Sequence, residues 1–122
     1  MRCPVRGDGR GRSLGIPTAN IVAEFDRKLI PAGGVYAVRA RTAAGTFGGM
    51  MNIGVRPTFG TGAARTMEVH LFGFEGDLYG QRVDVEFLKR LRDERTFSSA
   101  EELVRQLQID RGESMAYLAA QS

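Results

Sequence analysis

Hydrophobic and polar positions alternate with a period of two over several short stretches of the chain, and change to a helical period only near its end. From Thr66 to Phe72, Met67, Val69 and Leu71 fall on one face and Thr66, Glu68, His70 and Phe72 on the other, the pattern of a half-buried strand. Val35 to Arg41 sets Val35, Ala37 and Arg39 against Tyr36, Val38 and Ala40, and residues 43–46 turn it back into Phe47 to Val55 as a hairpin. Gly48, Gly49 and Gly54 in that second arm predict a bulge or a ligand lying close. Gln81 to Leu91 is a further strand with Val83, Val85 and Phe87 inward, and Arg2 to Val5 and Ile21 to Phe25 are shorter ones. Pro4 in the first of these cannot donate to a ladder, which puts closure of a barrel at that strand in question. Asp26 to Ala32, Arg56 to Ala64 and Gly73 to Gly80 read as connections.

Near the end, Ser98 with Glu101 three residues on predicts a capping box, and Leu103, Val104, Leu107, Met115 and Leu118 follow as one stripe. Gly112 inside that stripe predicts a break or bend between Asp110 and Gly112. Short strands joined by glycine-rich turns and followed by one helix predict a mainly β fold, an antiparallel barrel with a C-terminal α-helix, in a single domain over residues 1–122.

Composition narrows the function classes. Basic residues exceed acidic ones by 17 to 14, a net charge of +3, which favours an anionic ligand in a local cleft over a surface that coats nucleic acid. The single cysteine, Cys3, excludes an internal disulfide and has no neighbouring ligand for zinc. No apolar run approaches the roughly 20 residues of a membrane span, and no signal-peptide core follows Met1, so a cytoplasmic setting without membrane contact is expected.

The stretch from Gly7 to Asn20 carries the most chemistry. Gly7, Gly9, Gly11 and Gly15 with Arg10 and Arg12 predict a loop whose backbone N–H groups form a nest for phosphate. Pro17 fixes its own φ and biases Ile16 toward an extended course, and an extended segment there puts Thr18 and Asn20 on one side, two oxygens suited to a hard divalent cation. A flexible basic linker ahead of a proline turn explains the same residues without a ligand. Glu68 is the candidate general base, a carboxylate on the polar face of a strand, and pairing with a surface arginine is the alternative. Arg92 and Arg95 beside Phe97 are either a solvated charged turn or a clamp for a planar, electron-poor ring.

Taken together, these segments resemble the riboflavin kinase family, the module that forms the C-terminal half of bacterial bifunctional FAD synthetases. The resemblance rests on Gly9 to Asn20, Gly34-Val35-Tyr36, Asn52 to Thr58, Glu68-Val69-His70-Leu71, Asp77 to Gly80 and Leu91 to Phe97, in order from about Arg2 to Asp110. It implies a six-stranded antiparallel Greek-key β-barrel with a C-terminal helix, and transfer of the ATP γ-phosphate to the riboflavin ribityl 5′-hydroxyl, giving FMN and ADP. By motif match, Glu68 would be the catalytic base. Gly9, Gly11, Gly15, Thr18, Leu71, Gly73 and Tyr79 would surround ATP, and Thr18 and Asn20 would hold Mg²⁺ or another divalent cation. Arg92, Arg95 and Phe97 would contact the flavin. An adenylyltransferase domain outside this chain is the implied partner. The loops at residues 7–16 and 57–64 would close over the substrates.

Two other readings compete. A non-catalytic flavin-binding remnant would keep the pocket but has no need for Thr18, Asn20 and Glu68 together. A small barrel binding single-stranded nucleic acid through Arg10, Arg12, Arg39 and Arg41 would show steep salt dependence, and no nucleic-acid partner is expected here.

Overall fold

A computed structural model describes residues 2–13, 16–23, 32–58, 62–74, 78 and 80–121, with the backbone alone described at 2–3, 8–13, 16–20, 22–23, 55–58 and 62–65. The described residues form six strands and one helix: β1 (Arg2–Ser13), β2 (Ile16–Ala23), β3 (Gly34–Thr42), β4 (Gly45–Thr58), β5 (Gly62–Leu71), β6 (Arg82–Arg92) and α1 (Ala100–Gln121). The strands close into an antiparallel barrel in the order β1-β2-β5-β4-β3-β6. Strands β3, β4 and β5 are a meander and β6 returns beside β3, which is the Greek-key arrangement expected from the sequence.

Alternation decides what lies inside. Val5, Ile21, Tyr36, Val38, Met51, Ile53, Met67, Val69, Val83 and Val85 fill the barrel, with Phe87 packed edge-on against Tyr36 at 5.3 Å. The inward faces read from Met67-Val69-Leu71 and Val83-Val85-Phe87 are therefore correct. A second, smaller cluster of Val35, Met50 and Leu107, with Phe72, Leu91 and Leu103 against it, lies on the outer side of β3 and β4 under α1. Val35 and Met50 are outward residues of their strands, and the helix buries them there.

Several expected boundaries change. The glycine loop over Gly7 to Asn20 is a hairpin, because β1 runs to Ser13 and β2 starts at Ile16, in register from Gly9↔Asn20 to Ser13↔Ile16. A strand ladder replaces the expected nest along Gly9 and Gly11, while Leu14 and Gly15 lie outside the described residues. The loop over Arg56 to Ala64 is likewise shorter, since Thr58 pairs with Gly62 and only residues 59–61 lie between, outside the described residues. Closure is not impaired by Pro4: β1 pairs with β6 from Arg2↔Glu86 to Arg6↔Arg82, with Pro4 opposite Asp84.

Beyond Arg6 the pairing gives way to a tighter contact, where the Gly7 N–H donates to the Gln81 carbonyl and the Gly80 N–H donates to the Gly7 carbonyl. A Cβ at Gly7 would meet the Leu78 carbonyl oxygen at 1.8 Å, so this crossing admits only glycine.

Helix α1 starts one residue later than the sequence suggests. Ser99 is its cap, accepting the Glu102 N–H at 3.2 Å, and the Glu102 carboxylate reaches back to the Ser98 hydroxyl and N–H. The Ser98 hydroxyl first, then its N–H, hold the Glu102 carboxyl below the ordinary carboxylate range. Gly112 does not break the helix, which runs without interruption to Gln121. The face turned to the barrel follows Leu103, Leu107, Asp110 and Ser114, so Met115 lies off it and is 44% exposed, contrary to the predicted stripe.

Replacing Gly7 by alanine is expected to destabilise the fold by more than about 2 kcal/mol, because backbone is in the way. Gly112→Ala, in open space within a continuous helix, should stabilise it by about 0.5–1 kcal/mol. Denaturant titration of both variants checks the pair.

Candidate active site on the outer face of the barrel

One line of register partners runs around the outside of the barrel. Arg92 on β6 pairs with Val35 on β3, Val35 with Asn52 on β4, Asn52 with Glu68 on β5, Glu68 with Asn20 on β2, and Asn20 with Gly9 on β1. Directly opposed residues in an antiparallel sheet have their Cβ atoms about 4.5–5.5 Å apart on the same face. Glu68 alternates with Met67 and Val69, which are buried in the barrel, so its half-buried carboxylate stands on the outer face between Asn52 and the Asn20 position. The general-base candidate and one of the two proposed metal ligands are therefore register partners, although Asn20 is far from Glu68 in sequence. Thr18 sits two positions along β2, opposite Gly11.

At the other end of this line stands a cationic and aromatic group. Arg92 donates through Nε and Nη2 to the two oxygens of Asp110 at 2.9 and 2.8 Å, and through Nη1 to the Asp93 carbonyl at 3.0 Å. Its guanidinium carbon lies 5.8 Å from the centre of the Phe97 ring, and that of Arg95 lies 5.0 Å from the same ring. Arg95 also donates to Gln106 Oε1 at 2.9 Å. The three residues singled out as a ring clamp are thus together, and both arginines face one aromatic.

The segment after β6 is seated on the barrel by glycines. A Cβ at Gly33 would fall 2.6 Å from Glu94 Oε2, and one at Gly54 would fall 3.4 Å from Glu94 Oε1 and 3.1 Å from Thr66 Oγ1. The Glu94 carboxylate occupies the space that two missing side chains leave, close to the face that carries Glu68. Arg90 adds a clasp, donating to the Gly33 carbonyl and pairing with Asp93 at 2.5 Å.

Other sequence candidates distribute unevenly. Leu71 is buried in the barrel core, on the opposite face of β5 from Glu68. Gly73 takes a left-handed φ of 75° in the exposed turn that follows. Tyr79 lies outside the described residues, but its neighbour Gly80 is held to β1, accepting from Arg6 Nη1 at 3.1 Å besides its bond to Gly7. Among the described residues no group of three His, Cys, Asp or Glu side chains could hold a metal, and the candidate ligands Thr18 and Asn20 offer a hydroxyl and an amide oxygen. Such a donor set suits a hard ion that brings phosphate oxygens and water with it.

Asp110, Gln106, Ser114 and the seat of Glu94 escaped the sequence reading. Asp110 and Ser114 are fully buried, and Ser114 donates to the Gly49 carbonyl at 2.8 Å. The available signal was their spacing: 103, 107, 110 and 114 keep the helical period through two polar residues.

A family described as Flavokinase, riboflavin kinase, matches residues 3–118. The chain is 38% identical over 117 residues to a bifunctional riboflavin kinase/FMN adenylyltransferase of Bacillus subtilis, covering 94% of this chain and 37% of that protein. The Haemophilus influenzae protein of the same description is 43% identical over 87% of this chain and 34% of its own length. An RNA-binding riboflavin kinase of Bacillus subtilis is 41% identical over 87% of this chain and 45% of that one. A solved structure described as a macrolide-efflux protein from Streptococcus pneumoniae superposes with a TM-score of 0.79 at 35% identity, over 90% of this chain and 36% of that one. The chain thus spans between a third and a half of the length of these relatives.

Gly33→Ala should displace the Glu94 carboxylate, the far end of a flexible side chain, at a cost to the fold of about 1 kcal/mol or less. Hydrogen exchange across residues 93–97 is expected to accelerate while the melting temperature stays within a few degrees.

Proposed function

Because the chain belongs to the riboflavin kinase family, we propose that it transfers the γ-phosphate of ATP to the ribityl 5′-hydroxyl of riboflavin, releasing FMN and ADP. The observation that carries this reading is the register that sets the Asn20 position on β2 directly across from Glu68, whose carboxylate is outward and half-buried.

Phosphoryl transfer asks a protein mainly for alignment and for neutralisation of developing charge. Glu68 takes the proton of the 5′-hydroxyl as its oxygen attacks the γ-phosphorus, and the bond from that phosphorus to the bridging oxygen of ADP breaks. Asn52 on β4 and the Asn20 position on β2 flank Glu68 in register. Arg92, Arg95 and Phe97 receive the isoalloxazine by stacking and hydrogen bonding, fixing the far end of the substrate so that the tail arrives in line. Gly9 and Gly11 line the triphosphate along the β1–β2 hairpin, and Gly15, Gly73 and Tyr79 are the remaining nucleotide-binding candidates. Leu71 contributes from beneath, as part of the barrel wall.

Thr18 and Asn20 would hold the divalent cation, magnesium by donor chemistry, which when bound offsets negative charge on the phosphate oxygens. The kinase step alone is assigned to this chain, and the adenylyltransferase activity named for the relatives would belong to a separate domain. A cytoplasmic setting is part of the same proposal, in keeping with ATP and riboflavin as substrates. The described part contains no helix long and apolar enough to cross a membrane.

Incubation with riboflavin, ATP and Mg²⁺ should yield FMN, and Glu68→Gln should lower turnover by about 10²–10⁴-fold with the fold intact. Asn20→Ala should reduce it comparably and raise the Mg²⁺ concentration needed for half-maximal rate. Full turnover in Glu68→Gln would remove the base from the mechanism, and flavin binding without FMN formation in the unaltered chain would select the non-catalytic remnant.

A further inference from the structure

The described part of α1 carries one buried carboxylate, Asp110, and no step of phosphoryl transfer uses it. Its Oδ1 accepts from Arg92 Nε and from Gln106 Nε2, both at 2.9 Å, and its Oδ2 accepts from Arg92 Nη2 at 2.8 Å. Gln106, one turn earlier, uses its other end to accept from Arg95 Nη1. A single chain of hydrogen bonds therefore runs from Arg92 through Asp110 and Gln106 to Arg95. Its two ends meet again at the Phe97 ring.

This circuit is not needed to attach the helix. Leu107 and Leu103 pack on Val35 and Met50, and Ser114 bonds to the Gly49 carbonyl, so α1 is held by apolar burial and a neutral hydrogen bond on either side of Asp110. A buried ion pair adds little net stability, because desolvating both charges offsets most of their attraction. What the bidentate pairing does supply is orientation. A planar guanidinium held through Nε and Nη2, with Nη1 on the Asp93 carbonyl, cannot turn about its long axis. Gln106 passes the same constraint to Arg95, which is otherwise an exposed side chain free to move.

We propose that Asp110 and Gln106 are positioning residues for the flavin end of the site, setting both arginines around Phe97 so that a flat ring meets a preformed surface. This rests on the kinase reading above, in which Arg92, Arg95 and Phe97 meet the isoalloxazine. The helix is then part of the riboflavin site without touching the substrate, and its effect is confined to that substrate. ATP, at the opposite end of the register line, is unaffected.

The test is steady-state kinetics on Gln106→Ala and Asp110→Asn, with Gln108→Ala at an exposed position of the same helix as control, alongside riboflavin affinity from fluorescence quenching and melting temperatures. Gln106→Ala should raise KM and Kd for riboflavin about three- to tenfold, the size of an ordinary net hydrogen-bond contribution, and Asp110→Asn at least as much. KM for ATP should stay within about twofold in both, and Gln108→Ala should match the unaltered chain. Gln106 is only half-buried, so its variant remains informative even where Asp110→Asn fails to fold. Folded Gln106→Ala with unaltered riboflavin KM and Kd, or with riboflavin and ATP affected equally, overturns the inference and leaves the kinase reading standing. An unaltered chain that neither binds riboflavin nor forms FMN overturns both.

Discussion

Antiparallel register around the closed barrel is the constraint on which the site depends. Each strand has a buried face of apolar side chains, and sliding any pair by one residue would exchange that face for the polar one. Met67 and Val69 can be inside only if Glu68 is outside, and Met51 and Ile53 can be inside only if Asn52 is outside. Burial of the core thus holds the polar row in line without any interaction among its members being strong. The closed ring matters as well, since an open sheet would leave β1 or β6 at an edge and allow the Gly9 and Arg92 ends of the row to drift apart.

Helix α1 completes the site by different means. It covers outward residues of β3 and β4, which makes part of the barrel exterior into a second core. Among the described residues, Asn52 remains exposed beside the half-buried Glu68. Between the covered and open regions lies the Arg92–Asp110 pair, with the arginine side chain 19% exposed and the carboxylate fully buried. Removing one partner would strand the other, at a cost of about 3–5 kcal/mol, whereas the intact pair is close to neutral for stability. Such a pair is better understood as a geometric device than as a source of folding energy.

Glycine serves the site differently from the way the sequence alone suggests. The cluster at positions 7–15 invites a flexible phosphate loop, yet Gly9 and Gly11 are ladder positions of a hairpin and Gly7 is a crossing point under the Leu78 carbonyl. Gly33 and Gly54, unremarkable in sequence, make room for a carboxylate from a distant segment. A missing Cβ has meaning only relative to what approaches it, and that neighbour comes from elsewhere in the chain.

Period-two alternation determined by itself that β3, β5 and β6 are strands and which faces of β5 and β6 are buried, because burial selects apolar side chains one position in two; the hairpin of β1 and β2, rich in glycine, carried no such signal. The succession of short strands and a capped final segment was enough for a barrel with a terminal helix, and the order of local motifs was enough for the family. Strand ends, the uninterrupted helix through Gly112 and the one-residue displacement of its cap were decided by ladder and packing contacts that outweigh local propensity. Tertiary structure alone decided that Asn20, Glu68, Asn52 and Arg92 share one line and that Asp110 reaches Arg92. These pairings join segments tens of residues apart, and cross-strand register is a property of two strands together that neither one encodes.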